Sequence, residues 1–179
     1  MNILIGADLV PTEKNIAEFE KGNAEYLVGS ELLTILRSAD FRIFNMEVPL
    51  TDKAAPIKKC GPNLIAPTAT IKGYKALGTD IVTLANNHIL DQGVAGLHST
   101  EDALKQSGIA YLGVGDDPTE ACKPFIFECD GKKIGIYACV EHEFSIVTDD
   151  TPGANPYDPL YSFDHVASLK KDCEFVIVL

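Results

Sequence analysis

Three observations predict an α/β fold built on a mainly parallel sheet with flanking helices. Apolar runs that suit buried strands alternate with segments of helical apolar spacing, and the intervals between strands are long enough for crossover connections. The first three strand-like runs each end in a group of polar side chains, the usual place for a ligand in a parallel sheet. With 179 residues and 46% apolar content, the chain suffices for one domain over residues 1–179 with a sizeable core.

Ile3 to Ile5 reads as a buried strand, followed by Gly6-Ala7-Asp8. Between Thr12 and Ala39, the spacing of Leu32, Leu33, Ile35 and Leu36 predicts a helix with Ser30 as its N-cap. Phe41 to Met46 is a second strand that ends at Glu47, and Pro49 breaks the pattern. Thr51 to Pro67 is a loop. Thr68 to Leu77 is a short helix stopped by Gly78, and it leads to the strand Ile81 to Ala85. That strand runs into Asn86-Asn87-His88, with Asp91 just after. Gly96 to Gln106 is helical, Gly108 stops it, and Ile109 to Leu112 returns as a strand. Pro124 to Cys129 and Lys133 to Val140 form a hairpin through Asp130-Gly131, expected to extend the same sheet. A polar loop covers Glu141 to Tyr161, a helix spans about Phe163 to Lys171, and Phe175 to Leu179 is a last strand assigned to the same parallel sheet.

Composition removes several functions. The formal net charge of −11 repels a phosphate backbone, which argues against nucleic acid as a partner. Cys60, Cys122, Cys129, Cys139 and Cys173 are odd in number and never form a C-x-x-C pair, so they read as reduced, mostly buried thiols. The N-terminus lacks a basic flank and a long apolar run; as written the chain carries no membrane segment and reads as cytoplasmic, or envelope-associated if a leader was removed. Oligomeric state is not legible.

The chemistry concentrates at three strand ends: Gly6-Ala7-Asp8, Asn45-Met46-Glu47, and Asn86-Asn87-His88 with Asp91. Successive parallel strands bring such ends to one edge of a sheet, so donors far apart in sequence converge. Carboxylate and amide oxygens suit Mg²⁺ or Mn²⁺, and a nearby imidazole suits Mn²⁺, Fe²⁺ or Zn²⁺ or orients a phosphate oxygen. Singly, Asp8 could cap a helix, Glu47 could be a loop residue, Asn86 and Asn87 turn residues, and His88 a structural histidine. Their repetition at three strand ends favours a shared polar site. Glu141-His142-Glu143 reaches the same edge if the preceding strand is parallel. Asn86, Asp91 and His142 are then the substrate-facing groups. His98 and His165 fall in helices and read as structural.

Asn45-Met46-Glu47-Val48-Pro49-Leu50-Thr51-Asp52 resembles the N-L-E-x-P-L-T-D block of the bacterial capsule-synthesis family (CapA, poly-γ-glutamate). Leu84-Ala85-Asn86-Asn87-His88-Ile89-Leu90-Asp91-Gln92-Gly93 resembles its L-A-N-N-H-x-x-D-x-G block, the more specific of the two. Gly6-Ala7-Asp8 corresponds to the family's first G-D with an inserted-looking alanine, and Gly113-Val114-Gly115 resembles a later G-x-G. The resemblance covers nearly the whole chain. It implies a calcineurin-like metallophosphoesterase-type sandwich with a metal site at the strand ends.

By position, the resemblance implies Asp8, Glu47 and Asn87 as metal ligands and His88 as the catalytic group that contacts a substrate phosphate. Val10 stands where the superfamily's D-x-H has histidine, and Glu47 where most phosphoesterases have the Asp of G-D-x-x-D. A full two-metal centre is therefore not expected. The family's later ligand histidines, in H-x-G-x-E and H-x-H segments, do not occur. Because the chain ends inside a strand-like run, a C-terminal continuation carrying them is expected. The function so implied is a metal-dependent hydrolase of phosphoryl or acyl-phosphate groups. It would use Mn²⁺, Mg²⁺, Fe²⁺ or Zn²⁺ on a small-molecule or polyanionic cell-envelope substrate. The alternative is a non-catalytic binding or assembly module with a degenerate metal site. A Ser-His-Asp hydrolase is disfavoured, since no G-x-S-x-G elbow is present.

Overall fold

A computed structural model describes residues 1–179. Strands β1 (Ile3–Asp8), β2 (Phe41–Asn45), β3 (Ile81–Thr83) and β4 (Ala110–Leu112) form a four-stranded parallel sheet in sequence order. Helices α1 (Ile16–Lys21), α2 (Ala24–Ser38), α3 (Ile71–Ala76) and α4 (Gly93–Ser107) supply the crossovers. Both faces of the sheet are covered at its central strands β2 and β3, which carry apolar side chains in both directions, while the edge strand β1 leaves Ile5 exposed. In β2 and β3, Phe44 and Val82 point to the helices, where they meet Phe19, Leu36, Tyr74 and Leu97. Their neighbours Ile43 and Ile81 point the other way, toward Ile136 and Ala138 of a second sheet.

That second sheet corrects the expected topology. After β5 (Val114–Gly115) and α5 (Pro118–Ala121) come β6 (Phe125–Cys129) and β7 (Lys132–Tyr137), an antiparallel hairpin through Asp130-Gly131. Both turn residues have positive φ, as a tight hairpin turn of this composition requires. The hairpin starts a new sheet instead of extending the first. A short strand β8 (Gly153–Ala154) pairs with β5 within the long loop. Helix α6 (Tyr161–Asp172) then delivers β9 (Phe175–Val178) parallel to β7, in the order β6-β7-β9. Phe175 to Val178 thus lies in the second sheet, not in the first. The α6 crossover satisfies the same right-handed strand-helix-strand rule with β7 as with any strand of the first sheet, and the alternation cannot distinguish them.

The two sheets pack face to face, with α1 to α4 outside one and α6 outside the other. Leu169 of α6 packs with Tyr137 and Cys173 over the second sheet, directly above Gly135. The region expected to be one helix from Ser30 is two: α1 precedes it, and α2 breaks at Gly29 (φ 76°, ψ 161°). Ser30 follows that break instead of capping the helix. Only Leu33 and Leu36 of the four expected core positions are buried, while Leu32 and Ile35 face solvent. Of the five cysteines Cys173 alone is buried, Cys60 is exposed, and all are free thiols. No helix is long and apolar enough to cross a membrane.

Candidate functional site

Register brings the three polar strand ends level: Asp8 pairs with Asn45, and Asn45 with Thr83. In β1 the register slips by one residue between Ile5 and Asp8, a β-bulge that accommodates the extra residue of Gly6-Ala7-Asp8. A bulge kinks its strand and re-aims the next side chain. Here it turns Asp8 toward the neighbouring strand, where Asn45 Nδ2 donates to Asp8 Oδ1 at 2.8 Å. The chain leaving Asp8 is pinned as well, because the fully buried Tyr74 hydroxyl donates to the Leu9 carbonyl at 2.6 Å.

Asp8, Asn45, Glu47, Asn86 and Asn87 line one cleft of about 300 Å³, together with Ala85, Val140, Glu141 and Glu143. Hydrogen bonding from Asn45, then from Glu47, holds the Asp8 carboxyl below its ordinary range. Burial, then the adjacent Asp8, pushes Glu47 up. Two carboxyls in contact cannot both ionise cheaply, so Glu47 keeps its proton more readily while Asp8 carries the charge. A cation placed between them would relieve the same repulsion, so the donor set of two carboxylates and the Asn87 amide fits a hard divalent ion.

His88 enters from the turn after β3. Its Nδ1 lies 2.7 Å from Asp91 Oδ2, and its Nε2 lies 3.7 Å from Glu47 Oε1. The ring therefore directs Nε2 toward Glu47 while Nδ1 is held from behind by Asp91.

Of Asn86, Asp91 and His142, expected to face substrate, Asn86 lines the cleft while Asp91 and His142 do not. Asn86 is buried, and its Nδ2 donates to Asn45 Oδ1 (3.1 Å) and to the Met46 carbonyl (3.0 Å), while its Oδ1 accepts from His88 N (3.0 Å). It is a strut that joins the second and third strand ends. Asp91 is 0% exposed and lies outside the cleft lining. Its Oδ2 accepts from Leu64 N at 2.5 Å, and Lys59 pairs with its Oδ1. His142 turns away, with Nε2 donating to the Tyr157 carbonyl at 3.1 Å. Its neighbours Glu141 and Glu143 line the cleft instead, in a bend where Glu143 N donates to the Glu141 carbonyl at 2.9 Å.

Sequence reasoning put Asn45 and the run Glu141 to Glu143 at this edge but gave Asn45, Glu141 and Glu143 no role of their own, and it missed Lys59. The position of Asn45 as the last residue of its strand was the available signal; Lys59, one lysine in a long loop, gave none. The other histidines are engaged elsewhere, His98 with Asp116 and His165 with Tyr137. A larger groove of about 1020 Å³ lies between α3 and α4. None of the strand-end groups reaches it, so its size says nothing about the chemistry of the cleft.

Comparison with known proteins matches residues 3–174 to the family described as bacterial capsule synthesis protein PGA_cap. The chain is 29% identical over 163 residues to the uncharacterized protein y4sH of Sinorhizobium fredii, covering 88% of this chain and 34% of that protein. It is 26% identical over 129 residues to the capsule biosynthesis protein CapA of Bacillus anthracis, covering 69% and 31%. The chain thus spans about a third of the length of these curated relatives. Among solved structures, the NAD nucleotidase NadN of Haemophilus influenzae superimposes with a TM-score of 0.57 at 18% identity, over 98% of this chain and 33% of that one. At that identity the likeness is one of fold, and the fold is the calcineurin-like metallophosphoesterase-type sandwich.

Proposed function

Because the chain belongs to the bacterial capsule synthesis protein PGA_cap family, we propose that its strand-end cleft holds a divalent cation and acts on a phosphoryl or acyl-phosphate group. The observation that carries this reading is the convergence of Asp8, Glu47 and Asn87 on one cleft, with His88 Nε2 turned toward Glu47. When bound, a divalent cation would polarise a phosphoryl oxygen and make a water more acidic.

The chain's own residues do the rest. Asn45 holds Asp8, and Asp8 and Glu47 present carboxylate oxygens beside the Asn87 amide. Such an oxygen-rich set favours Mg²⁺ or Mn²⁺ over Zn²⁺ or Fe²⁺. Asp91 fixes the His88 ring, so that Nε2 can hold a proton or a hydrogen bond against a substrate oxygen. The cleft also carries Glu141 and Glu143, so an anionic substrate would be repelled unless the cation is in place. The substrate class this supports is a small-molecule or polyanionic cell-envelope compound, in keeping with capsule or poly-γ-glutamate metabolism.

One observation favours a second reading, a binding or assembly module with a degenerate metal site. Of the four histidines only His88 approaches the cleft, through Glu47 at 3.7 Å, so few groups are present to fix a second cation or neutralise charge on a transition state. The two readings separate in one experiment, a panel of phosphate esters offered to the wild type, Glu47→Gln and Asn87→Ala with and without Mn²⁺. Turnover that needs Mn²⁺ and is lost in both variants supports the hydrolase. Mn²⁺ binding without turnover supports the module, and no Mn²⁺ binding in the wild type overturns both.

A further inference from the structure

Ser145 lies in the long loop between β7 and α6, two residues after Glu143, yet it is 0% exposed. Its hydroxyl donates to the Asn86 carbonyl at 2.7 Å, joining that loop to the end of the third strand of the first sheet. The serine sits on a firm support. Its carbonyl accepts from Ala154 N at 2.7 Å, and Val147 N donates to the Ala154 carbonyl at 2.8 Å. Ala154 belongs to β8, which is buried and paired with β5. A Cβ on Gly153 would stand 2.5 Å from the Ser145 carbonyl, so the two segments approach as closely as only glycine allows.

No other group of the chain donates to the Asn86 carbonyl, and a buried carbonyl without a partner is costly. That carbonyl shares one planar peptide unit with Asn87 N. The Asn87 side chain lines the cleft, and no hydrogen bond within the chain holds its amide. Its direction therefore depends on the backbone from which it projects. We propose that Ser145 is a positioning residue for Asn87, fixing the Asn86–Asn87 peptide plane from the β8 support so that the Asn87 amide is aimed into the cleft. The same loop contributes Glu141 and Glu143, so the hydroxyl also ties these carboxylates to the strand end that carries Asn87. The consequence for cation affinity rests on the reading of the cleft given above; the aim of the amide does not.

Calorimetric titration with Mn²⁺ and NMR of the side-chain amides in the metal-free protein test this together. Ser145→Ala should raise the Kd for Mn²⁺ by about tenfold or more, as expected when a group behind a metal ligand is removed, and Ser145→Thr, which keeps the hydroxyl, should stay within about threefold of the wild type. Tyr137→Phe removes another buried hydroxyl, bonded to Ser162 and His165 in the second sheet, and should leave the Kd unchanged, which separates positioning from a general loss of stability. Without metal, the Asn87 amide signals should average toward those of an exposed asparagine in Ser145→Ala and return in Ser145→Thr, while those of Asn155 stay in place. An unchanged Kd with unchanged Asn87 signals in Ser145→Ala overturns the proposal. So does a wild-type Ser145 hydroxyl proton that exchanges with water too fast to be observed, a measurement that needs no variant. If the wild type binds no Mn²⁺, the cation reading falls and the Asn87 signals decide alone: their averaging in Ser145→Ala upholds the positioning role, and their constancy removes it.

Discussion

Replacing Asp91 by Asn keeps the shape of the side chain and one oxygen for Leu64 N, but strands the Lys59 ammonium without a counter-ion. Both side chains are dry, Asp91 at 0% and Lys59 at 3% exposure. Breaking a buried pair by removing one partner costs about 3–5 kcal/mol, against less than about 1 kcal/mol for a surface pair. For a chain of this size that corresponds to a drop in Tm of roughly 6–20 °C. Urea unfolding should show a lower midpoint with an unchanged slope. The double variant Asp91→Asn with Lys59→Met removes both charges, and its loss should fall short of the sum of the single losses by about 2 kcal/mol. An Asp91→Asn variant within about 1 kcal/mol of the wild type would refute the reasoning. So would the same loss in the Lys59→Met background as in the wild type.

Glu47→Gln and Asn87→Ala should each abolish Mn²⁺ binding measured by calorimetry while leaving the metal-free fold intact by circular dichroism. Glu47 is held above its ordinary pKa in the folded chain, so the folded state binds its proton more tightly than the unfolded state. Its contribution to metal-free stability is therefore present at acid pH and lost as pH rises from the ordinary Glu value through the raised one. A stability-against-pH profile should flatten over that window in Glu47→Gln. Deleting Ala7 removes the extra residue of the β1 bulge and should turn Asp8 away from Asn45, with loss of Mn²⁺ binding equal to that of Asp8→Ala. Gly135→Ala would set a Cβ 2.6 Å from Leu169 Cγ in a packed contact, and thermal melting should show a loss of about 1–3 kcal/mol.

The first sheet was legible because its strands are short, apolar on both faces and separated by crossover helices, a pattern with few topological solutions. The second sheet was not. Periodicity assigns β7 and β9 as strands, but pairing depends on which neighbour α6 leads back to, and nothing local in Phe175 to Val178 encodes that choice. At the site, the convergence of Asp8, Glu47 and Asn87 follows from strand-end position alone, whereas the work of Asn86 and Asp91 does not. A polar residue beside a motif reads as substrate-facing until burial is known, and Asp91 proves to be the dry anchor of both His88 and the loop above it. The inserted-looking alanine before Asp8 was visible in the sequence, and the bulge supplies its physical meaning.

The central claim is that a divalent cation sits between the first three strand ends. Crystals grown with Mn²⁺ and measured at its absorption edge would show where the ion lies. The account predicts an anomalous peak in the cleft within about 2.0–2.3 Å of an Asp8 carboxylate oxygen, a Glu47 carboxylate oxygen and Asn87 Oδ1, with His88 Nε2 at its rim. A peak at the Asp40, Cys129 and Asp130 cluster alone, or no peak at saturating Mn²⁺, would contradict it.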